Sequence, residues 1–362
     1  MIFNQPFKKK ISILALGAES AGVFAFYKNS RIYRSKNFGD LNEISNFSRF
    51  KKALLFSVKK HQPQLILTDF HPLYNPSVYG EKLAKKLKIK NIKIQHHLAH
   101  IFVAWGEYFL SQEKKREINN FIGLAADGTG YGLDGKIWGG EVFRISLKKK
   151  KKDFKRFGHL ENQLMAGGDL AVKEPARMLL AILMKSGFKK EIIWSWLKKF
   201  YSLNEFEVLF SQIEQKYNCQ ETSSVGRILD AVSLLLGFCG NQRKYKHEPI
   251  FLLEKNSALP YQDLKPKIIF NPQEKQYHLL TAPLFIYLVK KLSSQKNPAD
   301  KKRLAATAQF YLAQGLWELV NLSRKGQFKK APIFFSGGLA KNKILSSFLK
   351  KKGVMMNLIL PC

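Results

Sequence analysis

Three stretches of this chain share one pattern, an apolar run with the character of a buried strand followed by a turn of small residues. They are ILALGAES (13–20), GLAADGTGYG (123–132) and IFFSGGLAKN (333–342). Glycine lets backbone amides approach a ligand closely, and several amides directed into one concavity bind an anion. One such turn would be weak evidence. Three in one chain predict duplicated α/β lobes that offer their turns to a shared nucleotide cleft.

Strand-like and helix-like segments alternate along the rest of the chain, which is the pattern of an α/β protein. The apolar runs are short where strands are expected, and the apolar residues recur every three or four positions where helices are expected. We predict strands at 11–17 and 63–70, a hairpin at 23–39, and helices at 44–61, 79–89, 170–186, 190–216, 223–239 and 301–326.

Composition narrows the class of protein. The 362 residues, 45% of them hydrophobic, are enough for a large core and more than one lobe. The cysteines Cys219, Cys239 and Cys362 are widely spaced, which excludes a cysteine-cluster zinc site and fits a reducing cytosol. No run of eighteen apolar residues occurs, so we expect a cytoplasmic protein with no membrane partner.

The net charge of +34 has two interpretations, a nucleic-acid binder or a lysine-biased, solvated surface. Much of the excess lies in short runs such as 147–156 and 349–353, between apolar segments. Aromatic residues do not alternate with these basic runs as they do in base-stacking surfaces. We therefore favour the solvated surface and do not expect nucleic acid as a partner.

The stretch IQHHLAH contains a histidine pair, His96 and His100, that a helix would place on one face. Two imidazoles in this spacing can bind one metal ion, which also needs a third ligand. His97 is offset around the helix. The alternative is a pair of surface or capping histidines, and the residues by themselves leave both interpretations open.

The stretch from 123 to 141 is the densest in polar and glycine residues. Asp127 follows a predicted strand and precedes Gly128, Thr129 and Gly130. Its carboxylate could hold a magnesium-bound water or a ribose hydroxyl while the glycine amides meet phosphate. The alternative is a simple β-hairpin, because LDGK is itself a turn signal. Both can hold for different halves of the stretch.

A second candidate for nucleotide contact is the start of the helix predicted at 223–239. Gly226 and Asp230 are four residues apart and therefore share a face. A helix N-terminus with these residues can hold a ribose or a phosphate. The alternative is a plain N-cap by Ser223 or Ser224 on an ordinary buried helix.

Taken in order, these segments resemble the C-terminal domain of HypF-type carbamoyltransferases, which mature nickel–iron hydrogenases. The similarity runs over nearly the whole chain. IQHHLAHI resembles the family's Q-H-H-x-A-H, and DGTGYGLDGKIWGGE its D-G-T-G-Y-G-x-D-G-x-I-W-G-G-E. LTDFHPLYNPSVYGEKLA, AGGDLAVKEPARM, TSSVGRILDAVSLLLG and FSGGLAKN resemble further family motifs.

The resemblance implies an α/β actin-like ATPase (ASKHA) fold of two related lobes around a nucleotide cleft, here an N-terminal lobe at 11–118 and a nucleotide-binding lobe at 119–362. It implies transfer of a carbamoyl group from carbamoyl-adenylate to the C-terminal cysteine of a HypE-like partner, for synthesis of the hydrogenase cyanide ligand. The implied cofactors are a divalent metal, iron or zinc, and ATP or carbamoyl-adenylate, with magnesium as a further candidate.

The resemblance also assigns residues. It implies that His96 and His100 are metal ligands and that Asp127 and Thr129 are catalytic. The remaining assigned residues share a role in holding the nucleotide, either at its phosphate or carbamoyl end or at its adenosine. They are Gly128, Gly130, Gly168, Gly226, Asp230 and Asn342.

The chain departs from the full-length family pattern at both ends. It lacks the acylphosphatase, zinc-finger and carbamoyl-adenylate-forming regions, so we expect a separate carbamoyl-adenylate-forming domain or subunit as a partner. The family continues beyond LILPC (358–362) into N-D-G-G, whose Asp completes the metal site, so the C-terminal lobe is expected to be truncated. Two alternatives are a relative of the tRNA threonylcarbamoyladenosine synthases and a degenerate, non-catalytic binding subunit.

Overall fold

A computed structural model describes residues 11–29, 31–112, 118–148, 151–294 and 297–356. The chain divides into two compact units, Met1–Ala99 and His100–Cys362. Each unit combines helices with one mixed β-sheet, so the predicted α/β class is confirmed. The segment 358–362, with Cys362, lies outside the described residues.

The first unit has a five-stranded sheet in the order β3-β2-β1-β4-β5. Strands β1, β2 and β3 are antiparallel, whereas β1, β4 and β5 are parallel. The elements are β1 (Ile13–Leu16), β2 (Phe24–Lys28), β3 (Arg31–Arg34), α1 (Ile44–His61), β4 (Leu65–Asp69), α2 (Asn75–Leu87) and β5 (Lys90–Ile94). The strands, the hairpin and the two helices predicted for this region are therefore confirmed.

The second unit is built on a nine-stranded sheet. Seven of its strands follow the order β11-β12-β8-β7-β6-β13-β14, and β10 pairs with β7 and β9. Helix α3 (His96–Ser111) precedes β6. The elements are β6 (Asn120–Tyr131), β7 (Ile137–Lys148), β8 (Lys151–Leu160), β9 (Gln163–Ala166), α4 (Leu170–Lys173), α5 (Pro175–Lys185), α6 (Lys190–Leu197), α7 (Leu203–Glu214), β10 (Cys219–Thr222), α8 (Val225–Leu235), α9 (Glu248–Lys255), β11 (Ile268–Asn271), β12 (Gln276–Leu279), α10 (Ala282–Ser294), α11 (Pro298–Ser323), β13 (Ile333–Ser336), α12 (Lys343–Lys351) and β14 (Met355–Met356).

The two sheets repeat one strand pattern. In the second unit, β8, β7 and β6 are antiparallel neighbours, and β6, β13 and β14 are parallel. This is the same succession as β3-β2-β1-β4-β5, with β6 in the position of β1. The duplication of α/β lobes expected from the repeated strand-turn stretches is therefore present in the topology.

Two helices predicted as continuous are each broken in two. The segment 170–186 is interrupted before Pro175, which has no N–H to donate and disfavours helical backbone at Glu174. The segment 190–216 ends its first helix at Leu197. Ser202 then caps α7, because its hydroxyl accepts from the Glu205 amide and the Glu205 carboxylate accepts from the Ser202 amide.

Helices α8 and α11 pack against the sheet in the core of the second unit. Helix α11 buries more than half of its 26 residues, among them Leu312 and Leu316, and every residue of α8 is buried. Burial of a whole helix includes its polar side chains, so Arg227 and Asp230 of α8 must find partners inside the protein. Across the ranges that the structure describes, none of the helices has the length and apolarity to cross a membrane.

Replacement of Phe50 by Ala tests the core of the first unit. The Phe50 ring is fully buried and lies 5.5 Å from the ring of Phe24 and 5.7 Å from that of Phe38, centroid to centroid. We expect Phe50→Ala to lower the free energy of unfolding by about 3–5 kcal/mol in urea denaturation. Phe56→Ala on the same helix removes a ring that is 71% exposed and should change it by less than about 0.5 kcal/mol. Equal effects of the two substitutions would contradict this core.

Candidate functional site

Asp127 lies in an irregularity of strand β6. The antiparallel pairing with β7 is regular as far as Ala126 and resumes at Gly130, so three residues between them leave the ladder. A bulge of this kind turns side chains away from their normal alternation. The Gly128 amide donates to Asp127 Oδ1 at 2.7 Å, which fixes the carboxylate at the bulge. The hairpin predicted from LDGK is present, and the ligand-binding interpretation of Asp127 and the glycines stays a prediction.

Backbone from three segments packs against this bulge at distances that admit no side chain. A Cβ atom on Gly226 would lie 2.9 Å from the Cα of Gly128, and one on Gly139 would lie 2.6 Å from the Asp127 carbonyl oxygen. Real Cβ atoms do not approach other atoms this closely. Glycine at these positions therefore lets the start of α8 and the middle of β7 contact the bulge directly.

The third segment is the turn after β13. Gly337 has a φ of +110°, and a Cβ atom there would lie 2.3 Å from the Ala126 carbonyl oxygen. A Cβ atom on the next residue, Gly338, would lie 3.0 Å from Asp127 Oδ1. Two of the three predicted strand-turn stretches thus meet around one carboxylate within the second unit. In the first unit, the turn of ILALGAES uses Glu19 to accept the Asn75 amide at 2.8 Å.

Ser224 connects the bulge to helix α8. Its hydroxyl oxygen accepts from the Arg227 amide at 3.1 Å, which makes it the N-cap of the helix. The same hydroxyl donates to the Gly128 carbonyl oxygen at 2.5 Å. The N-cap interpretation of this segment is correct, and the cap also anchors the candidate site.

The histidine pair lies in the first two turns of α3, and each histidine has a carboxylate partner within its own unit. His96 Nδ1 lies 2.8 Å from Asp69 Oδ2 in the first unit. His100 Nε2 lies 3.2 Å from Asp127 Oδ2 in the second unit. Burial alone would raise the pKa of Asp69, but the hydrogen bond and charge of His96 hold that pKa below its usual range.

Asp69 was not predicted as a site residue. The sequence signal for Asp69 was its position in LTDFHP, a segment that resembles a family motif. A carboxylate that holds one nitrogen of a histidine while the other nitrogen binds a metal is a common arrangement in metalloproteins. Asp69 is therefore a candidate to orient His96.

A buried group of charges lies beside the bulge on helix α8. Arg227 Nη2 is 2.8 Å from Asp230 Oδ2, and Arg243 also pairs with this oxygen. Burial lowers the pKa of Arg227 to about 10, so the guanidinium stays charged at neutral pH, with Asp230 opposing the shift. A Cβ atom on Gly128 would lie 3.6 Å from Arg227 Nη2, which places this cation against the glycine of the bulge.

Three atoms of this group have no hydrogen-bond partner in the described part of the chain, namely Asp230 Oδ1, Arg227 Nε and Arg243 Nε. Such buried polar atoms are costly unless water or a ligand satisfies them. The sequence pointed to Asp230 but not to the two arginines. Arg227 was visible in the quoted segment TSSVGR, whereas nothing in the sequence distinguished Arg243.

The other predicted nucleotide contacts lie elsewhere in the second unit. Asn342 is the N-cap of α12, and its amide nitrogen donates to Gln309 Oε1 at 2.7 Å and to Glu254 Oε2 at 3.1 Å. Gly168 has a φ of +56° in the turn before α4, with open space where its Cβ would be. Their contacts with adenosine, like the roles assigned to Thr129 and Gly130, stay predictions.

Comparisons with known proteins agree over most of the chain. Residues 123–358 match the family described as carbamoyltransferase, Kae1-like domain, second subdomain, and residues 8–107 match the HypF Kae1-like domain. A probable carbamoyltransferase HypF of Methanocaldococcus jannaschii is 35% identical over 92% of this chain, and one of Synechocystis is 29% identical over 81%. A crystal structure of full-length HypF in a phosphate- and nucleotide-bound form superposes with a TM-score of 0.82 over 98% of this chain at 26% identity.

The fold and these similarities define a carbamoyltransferase homologue with the α/β fold of the HypF Kae1-like domain. The chain belongs to the HypF family, through its Kae1-like domain. It spans 42% and 38% of the two curated relatives and 45% of the full-length crystal structure.

Gly226→Ala tests the close packing at the bulge. Its Cβ would lie 2.9 Å from backbone atoms of Gly128, which cannot rotate away as a side chain can. We expect a loss of about 1–3 kcal/mol in the free energy of unfolding, measured by chemical denaturation. Gly240→Ala is the control, because nothing lies within 4 Å of its Cβ position. A Gly226→Ala variant as stable as the control would show that the segments are not in contact.

Proposed function

We propose that this chain is a carbamoyl-transfer domain that passes the carbamoyl group of carbamoyl-adenylate to the C-terminal cysteine of a HypE-like partner, for cyanide-ligand synthesis in hydrogenase maturation. Membership of the HypF family supports the reaction class. The observation that carries the proposal is the Asp127 bulge, where a histidine–carboxylate pair and two glycine turns lie together. Positioned charged groups and backbone amides are what commonly stabilise the charge that develops in acyl-group transfer.

His96, His100 and Asp127 are the proposed ligands of iron or zinc. Helical periodicity places the two histidines of α3 on one face, and Asp127 Oδ2 lies 3.2 Å from His100 Nε2. The Asp69 carboxylate on His96 Nδ1 fits the residues that orient metal-ligating histidines. A metal bound by these residues would polarise the carbamoyl carbonyl as a Lewis acid. Asp127 would then supply a third protein ligand, a role that the resemblance gives to the Asp of the family's N-D-G-G motif.

The residues around the bulge are proposed to hold the anionic part of the substrate. The amides of Gly128, Thr129 and Gly130 offer donors to the phosphate or carbamoyl oxygens. The Arg227 guanidinium, buried against Gly128, offers a fixed positive charge to the same anion. In the transfer step, the cysteine sulfur bonds to the carbamoyl carbon and the bond from this carbon to the adenylate oxygen breaks. The electron pair leaves with AMP, whose phosphate these groups stabilise.

The adenosine is proposed to contact Gly168, Gly226, Asp230 and Asn342, with ATP or carbamoyl-adenylate as the ligand and magnesium as a further candidate ion. Asp230 Oδ1, buried beside the bulge and without a partner among the described residues, supports a polar ligand at this place. The full-length HypF crystal structure that superposes on this chain is a phosphate- and nucleotide-bound form.

The rest of the assembly follows from the reaction. We propose that a separate domain or subunit supplies carbamoyl-adenylate. This chain spans 42% and 38% of the two compared HypF relatives. We propose lobe boundaries at 11–118 and 119–362. The thiols of Cys219 and Cys239 are free, which supports a cytoplasmic location. Neither a membrane nor nucleic acid is proposed as a partner.

Metal binding can be tested by substitution. We expect His100→Ala to lower the iron or zinc content by one equivalent per chain, because the remaining ligands bind too weakly to survive dialysis. Inductively coupled plasma mass spectrometry measures this content. His61→Asn is the control, since His61 packs against Phe26 and Tyr33 and belongs to no proposed site. Full retention of metal by His100→Ala and by His96→Ala would refute the assignment.

The transfer itself can be tested with synthetic carbamoyl-adenylate and a HypE-like protein. We expect mass spectrometry to detect one carbamoyl group on the acceptor's C-terminal cysteine and chromatography to detect released AMP. Asp127→Asn should slow the transfer by roughly 100-fold or more, because it removes a charge at the reacting group. An acceptor whose terminal cysteine is replaced by Ser is the control. Tight nucleotide binding without any transfer would instead identify a non-catalytic binding subunit.

A further inference from the structure

A second cluster of histidines lies in the second unit, outside the proposed transfer site. His159 of β8 and His278 of β12 are directly paired in a parallel ladder, so their side chains leave the sheet on the same face. The two ring centroids are 4.2 Å apart. Glu274 lies in the turn between β11 and β12, where Asn271 Oδ1 accepts its amide and fixes the turn. Three potential ligand side chains therefore come from two neighbouring strands and one turn.

The hydrogen bonds of His159 determine which of its nitrogens carries a proton. Its Nδ1 lies 2.7 Å from the Leu160 carbonyl oxygen, which can only accept, so Nδ1 carries the hydrogen. The ring is completely buried. With the hydrogen on Nδ1, the lone pair of the ring lies on Nε2.

The lone pair of His159 Nε2 faces a carboxylate, which is a second hydrogen-bond acceptor. His159 Nε2 lies 3.3 Å from Oε2 of Glu274, and an ionised carboxylate has no hydrogen to donate. Two acceptors that face each other inside a protein are unfavourable unless a cation lies between them. His278 Nε2 approaches the same oxygen at 2.8 Å. One position is thus surrounded by two imidazole nitrogens and a carboxylate oxygen.

The ligand atoms of His159, Glu274 and His278 all lie within 4.8 Å of one another. Two histidines and one glutamate form a donor set that zinc uses in proteins. The Leu160 carbonyl on His159 Nδ1 is the support that metal-ligating histidines commonly have. Lys136 Nζ lies 3.3 Å from the other oxygen of Glu274, Oε1, and 2.6 Å from Glu221, so the lysine pairs outside the group of ligand atoms.

We propose that His159, Glu274 and His278 bind a divalent first-row transition-metal ion of the zinc type. The ion ties the β11–β12 hairpin to β8 at the side of the sheet opposite β13 and β14. The Glu274 side chain is 30% exposed, so solvent reaches the site and supplies the fourth ligand. The site shares no residue with His96, His100 and Asp127, and it stands whether or not the chain transfers carbamoyl groups.

The test counts zinc in the full-length chain. The protein is stripped with a chelator, titrated with zinc against a chromophoric competitor, and analysed for bound zinc after desalting. We expect His278→Ala to lose one zinc equivalent in the wild-type background and again in the His100→Ala background. Glu274→Gln, at a half-buried turn position that tolerates an isosteric change, should weaken zinc binding at least roughly tenfold. His61→Asn is the histidine-deletion control and should keep the wild-type content.

Lys136→Met separates a metal site from a network of ion pairs. Removal of a nearby positive charge should leave zinc binding intact or tighten it by roughly tenfold. Circular dichroism confirms that each variant is folded before its zinc is counted. The proposal is overturned if folded His278→Ala and Glu274→Gln both keep the wild-type zinc content in both backgrounds. It is also overturned if the wild-type chain binds no zinc that depends on these residues.

Discussion

The candidate transfer site depends on the close approach of polypeptide backbone around Asp127. The start of α8, the middle of β7 and the turn after β13 all contact the bulge in β6 where a side chain would otherwise lie. This approach brings the cap Ser224, the cation Arg227 and the carboxylate Asp127 close together. Pre-ordered groups of this kind need little reorganisation when a charge develops in a reaction.

Acidic side chains are scarce in this chain, which has 27 of them and 61 lysines and arginines. Several of the buried carboxylates each bond to more than one partner. Glu141 is fully buried and accepts from the amides of Gly139 and Gly140 and from Arg156. Asp230 pairs with two arginines on and near α8. Among the described residues, five acidic side chains and two arginines are buried, so the excess of positive charge lies on the surface.

The sequence predicted the parts of the fold that follow from local rules. Periodicity located α1 to the residue, and two of the three small-residue turns expected to share a site do meet, at Asp127. It missed the breaks at Pro175 and Ser202, since apolar periodicity continues across them. Pairings between distant residues were also invisible, such as Asp69 with His96 or Arg243 with Asp230. The cluster of His159, Glu274 and His278 depends on a parallel strand pairing between residues more than one hundred positions apart, which no local pattern reveals.

The repeated strand order lets the two units be compared position by position. The succession β3-β2-β1-β4-β5 recurs as β8-β7-β6-β13-β14. The equivalent of the Asp127 bulge is the end of β1, where Glu19 supports the first turn of α2 in its own unit. The two strand ends thus use their acidic residues differently, because Glu19 accepts a backbone amide whereas Asp127 pairs with His100. One strand order therefore supports a purely structural contact in one unit and the candidate site in the other.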